Sequence, residues 1–303
     1  MRTLKTILVG SVLILVSACS VKRYAVDTIG DLLASGDSVY ESDDDIVLIG
    51  EALPFSLKLV ESLLNESPHH VGLLLSAARG YVLYAYAYVH HEADVVALDD
   101  IDRARELRAR ARKLYLRAHG YAVRAMEEAY PGLAPAIEEQ PQRAVAMVAG
   151  NNARNHVPLL YWTAASLGLA IAVSKQDASM LARLPEVEAL LERALVLDES
   201  WDEGALHEFM VTWSAAQLRR SNVEWIRHHY ERALALSSGR RASLFVGYAE
   251  AVPLPGQDRA GFRELLEKAL AVDLDADPGH RLMNVIAQRR ASWLLGRIDE
   301  LFL

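Results

Sequence analysis

Three short stretches of this chain repeat a basic-Ala-Leu core at a nearly constant distance. Residues 190–195 read LLERAL, residues 229–234 read HYERAL and residues 265–270 read LLEKAL. The basic residues of successive copies lie 39 and 36 residues apart. A period of this length, with a small residue at a tight contact, is typical of repeated helix hairpins. Such hairpins cannot bury their apolar faces singly, so the pattern predicts that they stack.

The rest of the chain also has helical periodicity, and alternating polar and apolar runs are nearly absent. Short segments with Gly or Pro, such as NESPHH, YPGLAP and DADPGH, separate the helical stretches. The repeats resemble the tetratricopeptide pattern, with PFSLKLVESLLNESP as a degenerate fourth copy. The predicted fold class is therefore all-α, with tetratricopeptide-like helix hairpins stacked in a compact curved solenoid. The concave surface of such a solenoid is the usual binding site.

The N-terminus has the layout of a bacterial lipoprotein signal. Two cations, Arg2 and Lys5, precede an apolar run over residues 7–16, and Val-Ser-Ala then leads to Cys19. We predict a signal peptide over residues 1–18, an acylated tether (palmitate or a similar chain) over residues 19–26 with Cys19 as the lipid attachment site, and a single all-α domain over residues 27–303. The alternative is an ordinary signal peptide with an incidental cysteine.

Several acyl chains anchor a protein stably where one does not. Ser20, rather than an aspartate, follows the cysteine, which favours the outer membrane with the protein facing the periplasm. Removal of Arg2 and Lys5 takes the formal charge from -8 to -10, which argues against nucleic acid as a partner. Cys19 is the only cysteine, so no disulfide can support the fold.

Two stretches have more than one interpretation. Residues 71–89, VGLLLSAARGYVLYAYAYV, are long and apolar enough to span a bilayer, but Arg79 near the centre favours a buried or cleft-lining helix. Residues 102–120 hold many arginines around an apolar stripe of Leu107, Ala111, Leu114 and Ala118. We interpret these arginines as a solvated face with pairs such as Glu106 to Arg110, rather than as a nucleic-acid patch.

The sequence contains no recognised catalytic or cofactor signature. The pattern HExxH begins at His91 and at His207, but Val95 and Val211 stand where the second histidine is needed. His207 and Glu208 are the best acid/base pair available, yet adjacent residues on a helix diverge by about 100 degrees. We therefore predict no enzyme, no metal and no cofactor.

A ligand cleft is suggested by polar residues next to aromatic ones in GNNARNHVPLLYWTAASLGLAI, residues 150–171. The alternative is that the asparagines turn the chain while Trp162 fills the core. Further polar residues lie in apolar helical patterns near the C-terminus, where Arg289 and Arg290 could hold a carboxylate. The predicted cleft residues are Asn151, Asn152, Arg154, His156, Tyr161, Trp162, His207, Asn284, Gln288 and Arg289.

Three aspartates open the stretch SDDDIVLIGEALPFSLKLVESLLNESP, residues 42–68. An EF-hand is excluded, because Val47 stands where that loop needs an oxygen ligand. The stretch instead predicts a helix start, with Ser42 or Asp43 as the cap and the later aspartates near the positive end of the dipole. Pro54 either kinks this helix or begins a second one.

This stretch, together with LLYWTAASLGLAI, LDESWDEGALHEFM, VGYAEAVPLPGQDRAGFRELLEKALAVD and RLMNVIAQRRASWLL, resembles the T-component lipoproteins of tripartite ATP-independent periplasmic (TRAP) transporters. The resemblance extends over nearly the whole mature chain and is weakest over residues 99–142. It implies a helical lipoprotein without catalysis that associates with a periplasmic TRAP substrate-binding protein. It also implies homo-oligomers, such as a trimer with a central opening.

Two functions follow as hypotheses. The first is a lipid-anchored scaffold that docks a TRAP substrate-binding protein and holds or passes a small organic ligand, either a carboxylate or a hydrophobic molecule. The alternative is a tetratricopeptide lipoprotein that serves as a scaffold for cell-envelope assembly.

Overall fold

The computed structural model describes residues 27–31, 39–150, 152–216 and 222–302, with only the backbone at residues 215 and 216. The predicted signal peptide, the tether with Cys19, and Asn151 lie outside the described residues. After a helical turn at residues 27–31, the helices in chain order are α1 (Ile46–Glu66), α2 (Val71–Tyr84), α3 (His91–Val96), α4 (Ile101–Ala129), α5 (Leu133–Glu139), α6 (Pro141–Ala144), α7 (Val157–Ala172), α8 (Ala178–Leu181), α9 (Leu184–Asp198), α10 (Ala205–Ala216), α11 (Val223–Ser237), α12 (Ala242–Ala251), α13 (Arg259–Leu270), α14 (Arg281–Gly296) and α15 (Ile298–Leu301). The described part of the chain contains no strand, which confirms the predicted all-α class.

Helix α1 begins later than the sequence predicted. Its N-cap is Asp45, whose Oδ1 accepts hydrogen bonds from the backbone N–H groups of Val47 and Leu48, each at 3.0 Å. The prediction that Ser42 or Asp43 caps the helix is therefore wrong, because the Asp43 side chain accepts a hydrogen bond from the Asp45 backbone N–H instead. The helix runs on through Pro54 without ending.

Helix α2 passes into α3 through a π-helical segment, Ala85–His90. No helix in the described part of the chain is long and apolar enough to cross a membrane. Arg79 of α2 forms an ion pair with Glu41, and its guanidinium carbon lies 5.9 Å from the centre of the Trp162 ring. These contacts agree with the interpretation of residues 71–89 as a packed helix.

Neighbouring helices pack in two groups. In the first, α1 packs on α2, α2 on α4, α4 on α7 and α7 on α9. In the second, α10 packs on α11 and α12, while α13 and α14 pack on α12 and on each other. The C-terminal α14 returns to α1, where Leu282 and Ile286 share an apolar cluster with Ile49 and Leu53. The two groups thus surround a common interior.

The repeated basic-Ala-Leu cores lie on α9, α11 and α13, and each of these helices contacts the one that follows it. Their alanines, Ala194, Ala233 and Ala269, are buried to 1% exposure or less. The small residue of each repeated core is therefore buried among the packed helices.

The apolar stripe predicted on α4 is confirmed. Leu107, Ala111 and Ala118 are buried and Leu114 is half-buried against the main core. The predicted pair of Glu106 with Arg110 does not form. Glu106 instead accepts a hydrogen bond from Arg103, and Arg110 donates one to the hydroxyl of Tyr84.

Candidate functional site

A cleft of about 1460 Å³ lies between the two groups of helices. Its lining residues come from α2 with the π segment, α3, α4, α7, the start of α8, α10, α12 and α14, together with the turn after α7. Elements that are distant in the chain therefore build it together. A cavity that combines apolar walls with a few polar groups is the usual form of a small-molecule site.

Two glycines allow the walls of the cleft to approach closely. A Cβ atom on Gly168 of α7 would lie 3.1 Å from the rings of Phe209 and Trp213 on α10. A Cβ atom on Gly247 of α12 would lie 2.9 Å from the Thr212 methyl group on the same helix α10. Because all of these residues line the cleft, the glycines bring its aromatic wall together.

The aromatic wall consists of Tyr161 and Trp162 on α7 with Phe209 and Trp213 on α10. The Tyr161 ring centre lies 4.9 Å from that of Trp162 and 6.0 Å from that of Phe209, and Phe209 stacks on Trp213 at 6.3 Å. Burial raises the pKa of the Tyr161 hydroxyl, so this group stays a neutral hydrogen-bond donor. The wall offers apolar area with a polar edge.

The π segment contributes a second polar group to the cleft, the hydroxyl of Tyr86, whose pKa is also raised by burial. A π-helical turn changes which side chains share a face, and such turns are frequent at functional sites. Here the segment and the following α3 present Tyr86, His90, His91 and Asp94 to the same cavity.

Arg290 of α14 is surrounded by groups that compensate its charge. Its Nη1 lies 3.2 Å from Oδ2 of Asp94 and 3.1 Å from Nδ1 of His91, and it forms a bidentate pair with Glu250. Burial, followed by the charge of Arg290, lowers the pKa of His91 to about 4, so this imidazole is neutral at physiological pH. The contacts of Arg290 connect α14 to α3 and α12 across the cleft.

A second buried arginine, Arg241, connects α12 to a strained turn. Its Nε lies 2.8 Å from Oε2 of Glu208, and its Nη1 donates to the Asp202 carbonyl at 2.6 Å. Asp202 and Glu203 have φ values of 46° and 51°, in the left-handed region that non-glycine residues rarely adopt. Burial opposes ionisation of Asp202, but its hydrogen bond to His280 and the charge of Arg241 lower its pKa to about 2.

The rim of the cleft on α4 is basic. Arg105, Arg108 and Arg112 follow one another at spacings of three and four residues, so they share one helix face. Lys175, in the turn after α7, adds a fourth cation to the lining. Each of the three arginines pairs with a carboxylate, so Lys175 is the cation of this rim without an ion pair among the described residues.

Two of the predicted cleft residues, Tyr161 and Trp162, line the cavity. Three others from the same stretch do not. Asn152 is exposed, Arg154 pairs with Asp198 at 2.8 Å, and Nδ1 of His156 lies 2.7 Å from the Tyr130 hydroxyl. These polar groups turn the chain and attach it to neighbouring helices, which is the alternative that the sequence left open.

Asn284, Gln288 and Arg289 also lie outside the lining of the cleft. Asn284 accepts a hydrogen bond from the Ala242 N–H at 2.9 Å and donates one to the Arg240 carbonyl at 2.9 Å. Gln288 donates to carbonyl groups at the end of α13, and Arg289 is exposed. The neighbour of Arg289, Arg290, is the arginine that reaches the cleft.

His207 is buried between α10 and α11, where its Nδ1 lies 2.7 Å from Nδ1 of His229. Glu208, its neighbour in the sequence, faces the cleft and pairs with Arg241. The two side chains therefore point to different environments, as expected for adjacent helical residues.

The basic residues on α4 are the functional candidates that sequence reasoning missed. The interpretation of these arginines as a solvated face holds for Arg105, which is exposed, while Arg108 and Arg112 are half-buried and line the cleft. Arg108 and Arg112 differ because α4 packs between α2 and α7, so part of this helix face borders the cleft.

A possible cation cluster of Glu203, Asp277 and His280 has its ligand atoms within 4.8 Å of one another. Arg240 already supplies positive charge there, at 2.7 Å from Glu203 and 4.0 Å from Asp277. The arrangement is therefore that of an ion-pair network.

The sequence profile of the family described as TRAP transporter T-component matches residues 42–302. A protein of Treponema pallidum (strain Nichols), which carries the name "Uncharacterized protein", is 30% identical over 306 residues. That alignment covers 96% of this chain and 95% of the relative. The match therefore includes every helix that builds the cleft.

Proposed function

The chain belongs to the TRAP transporter T-component family, and from this premise we propose that it docks a TRAP substrate-binding protein in the periplasm and holds or passes that protein's small organic ligand. Membership implies a role in TRAP transport and interaction with TRAP transporter components. The identity of the partner and the handling of a ligand are the proposal. The observation that carries it is the large mixed cleft within the matched region.

The cleft has a volume of about 1460 Å³, which is more than that of a typical small-molecule pocket. It therefore has room for a small organic ligand. Its aromatic wall suits an apolar body, and its polar groups suit a charged or hydrogen-bonding end. The ion-pair networks of Arg290 and Arg241 hold the helices around the cavity in place. A site that is already ordered loses less conformational entropy when it binds a ligand.

Docking is supported by exposed apolar residues on α1. Phe55 is 74% exposed and Leu48 and Leu59 are 53% and 47% exposed, although each belongs to a large apolar residue type. Their spacing places them along one side of the helix. Exposed apolar groups that cluster are typical of protein-protein contact surfaces.

The test is photocrosslinking of the full chain in its own membrane. A benzophenone amino acid at Phe55 is expected to capture a periplasmic TRAP substrate-binding protein, identified by mass spectrometry. The matched control is the same probe at Val196, which is 75% exposed on α9, far along the chain from α1. If neither probe captures a substrate-binding protein while both proteins are expressed, the proposed association is wrong.

We also propose that the protein is lipid-anchored through Cys19 on the periplasmic face of the outer membrane. The support is the lipoprotein signal pattern, in which Val-Ser-Ala at residues 16–18 leads to Cys19. In a Cys19→Ser variant the protein should leave the membrane fraction, and the N-terminal peptide should lose the mass of its acyl groups. An unchanged membrane fraction would contradict the proposed anchor.

Catalysis forms no part of the proposal. His207 and Glu208, the one acid/base pair that the sequence offered, face different environments and are both engaged by neighbouring side chains. The family role is transport. A His207→Ala variant that lost a measurable hydrolase activity of the wild type would contradict this part.

A further inference from the structure

Two buried polar atoms at one end of the cleft have no hydrogen-bond partner within the described residues. They are Nε of Arg112 on α4 and Oγ of Ser174 in the turn after α7. Both residues line the cleft. Since buried polar groups in proteins are nearly always hydrogen-bonded, an unpaired guanidinium N–H and an unpaired hydroxyl at one site indicate a missing partner.

The two groups belong to the same corner of the cavity. Arg112 donates from Nη2 to Oδ2 of Asp177 at 2.6 Å, three residues after Ser174. This contact holds the guanidinium against the turn that carries Ser174. Asp177 also caps α8, where its Oδ1 accepts hydrogen bonds from the Ser179 and Met180 N–H groups. The anchor of Arg112 is therefore itself fixed in place.

The charge at this corner is positive. Arg108, Arg112 and Lys175 line this side of the cleft with the carboxylates of Asp94 and Asp177, whereas Arg105, farther along α4, is exposed and pairs with Asp102 at 2.8 Å. Asp94 is shared between Arg108 at 3.3 Å and Arg290 at 3.2 Å. Lys175 is exposed and has no ion pair among the described residues. The carboxylates of the protein therefore neutralise only part of the positive charge that an anionic ligand would meet here.

The same cleft also has an apolar wall. Trp162, Leu169 and Trp213 line the same cavity from α7 and α10. Trp213 is 4% exposed, and its Nε1 also lacks a hydrogen-bond partner within the described residues. The cavity therefore combines one cationic end with a long apolar wall.

We propose that Arg112, Ser174 and Lys175 form a subsite for the carboxylate of an amphipathic organic anion, whose apolar body lies against the aromatic wall. The inference rests on the proposed function, because it names the chemical class of ligand for the same cleft. One carboxylate oxygen accepts from Nε of Arg112 and the other from the Ser174 hydroxyl, while Lys175 adds charge at the rim.

The experiment compares two probes that differ only in the head group, hexanoate and hexan-1-ol. Binding to the full chain in lipid nanodiscs is measured by calorimetry, with empty nanodiscs subtracted. We expect hexanoate to bind saturably and at least tenfold more tightly than hexan-1-ol. Arg112→Gln should weaken hexanoate binding at least tenfold and leave hexan-1-ol binding unchanged.

Two further variants keep the test decisive. Ser174→Ala should weaken hexanoate several-fold while it retains the charge of the site, so it serves if Arg112→Gln is unstable. Arg103→Gln is the matched control, since Arg103 lies on the same helix outside the lining and pairs with Glu106. It should bind hexanoate as the wild type does.

Equal binding of hexanoate and hexan-1-ol, with no effect of Arg112→Gln, would overturn the carboxylate subsite while it leaves the cleft as an apolar site. Absence of saturable binding of both probes would overturn the subsite and the ligand-holding part of the proposed function. Association with a substrate-binding protein is measured separately by crosslinking, so the failures are distinguishable.

Discussion

Glu250 on α12 accepts hydrogen bonds at both carboxylate oxygens from Arg290 on α14, with Nε to Oε2 at 3.0 Å and Nη2 to Oε1 at 2.6 Å. This bidentate geometry is the strongest form of an arginine-carboxylate contact. The same guanidinium reaches Asp94 on α3, so it connects three helices around the cleft.

Removal of one partner should therefore destabilise the protein. Breaking a buried pair leaves an uncompensated charge, and we expect Glu250→Leu to lower the free energy of unfolding by about 2 kcal/mol, with Asp94 retaining part of the attraction. Urea unfolding followed by circular dichroism measures this.

The matched control is Glu300→Leu, which removes the partner of Arg297 at an exposed site. Exposed pairs contribute about 0–1 kcal/mol, so this variant should unfold nearly as the wild type does. Equal losses in both variants would contradict a special role for the Arg290 network.

The contact between His207 and His229 predicts how stability changes with pH. The two Nδ1 atoms lie 2.7 Å apart, so one ring must donate and the other accept, which requires a neutral acceptor. Burial, followed by the nearby His207, lowers the pKa of His229 to about 4, and burial also lowers the pKa of His207.

A lowered histidine pKa means that the unfolded state binds more protons, so stability is full above the unfolded pKa of about 6.5 and falls as the pH drops toward 4. Between pH 7 and pH 4, the unfolding free energy of His229→Gln should fall less than that of the wild type, by an amount on the order of 2 kcal/mol. The measurement is the unfolding free energy at pH 7, 6, 5 and 4. The same pH dependence in His229→Gln as in the wild type would contradict this prediction.

The left-handed turn before α10 requires glycine at its last position. Gly204 has φ of 91°, and a Cβ atom there would lie 3.0 Å from Cβ of Leu236 and 3.3 Å from Cα of Ala233. Gly204→Ala should therefore lower the melting temperature, with a loss of about 1–3 kcal/mol.

At Gly120, in contrast to Gly204, we expect replacement by alanine to stabilise the protein. Gly120 lies inside α4, is exposed, and a Cβ atom there would meet nothing within 4 Å. Gly120→Ala should stabilise the protein by about 0.5–1 kcal/mol, because alanine has less freedom in the unfolded chain. Thermal unfolding of both variants side by side checks the pair, and a destabilised Gly120→Ala would refute the expectation.

The cap of α1 can be tested in the same way. Asp45 accepts from two backbone N–H groups, so Asp45→Ala should lower the unfolding free energy by about 1 kcal/mol. Asp44→Ala, at the exposed preceding position, should cost less than half of this. A larger effect at Asp44 would show that the helix begins earlier than Asp45.

The predictions that held depended on local pattern. The stripe through Leu107, Ala111 and Ala118 was visible because an amphipathic helix repeats its buried face every three or four residues. The N-cap of α1 lies two or three residues later than predicted. Three consecutive aspartates are equivalent cap candidates in the sequence, and only the backbone geometry distinguishes them.

The cleft was predicted only in part. Of the predicted cleft residues, Tyr161 and Trp162 line the cavity, where aromatic residues lie beside polar ones. Asn284 and Gln288 looked similar, but their amides are used by backbone groups of neighbouring helices. The sequence does not reveal such partners, since they lie 16 to 44 residues away.

The sequence by itself determined the all-α class and the positions of the repeated helices, because helical periodicity and the turns between helices are local properties. Only the tertiary structure decided which faces line the cleft. Arg112 and Ser174 reach one corner because α4 and α7 pack together, and Arg290 meets Asp94 across 196 residues of chain. Burial then makes an unpaired donor costly and a paired charge strong, so the chemistry of the site depends on that packing.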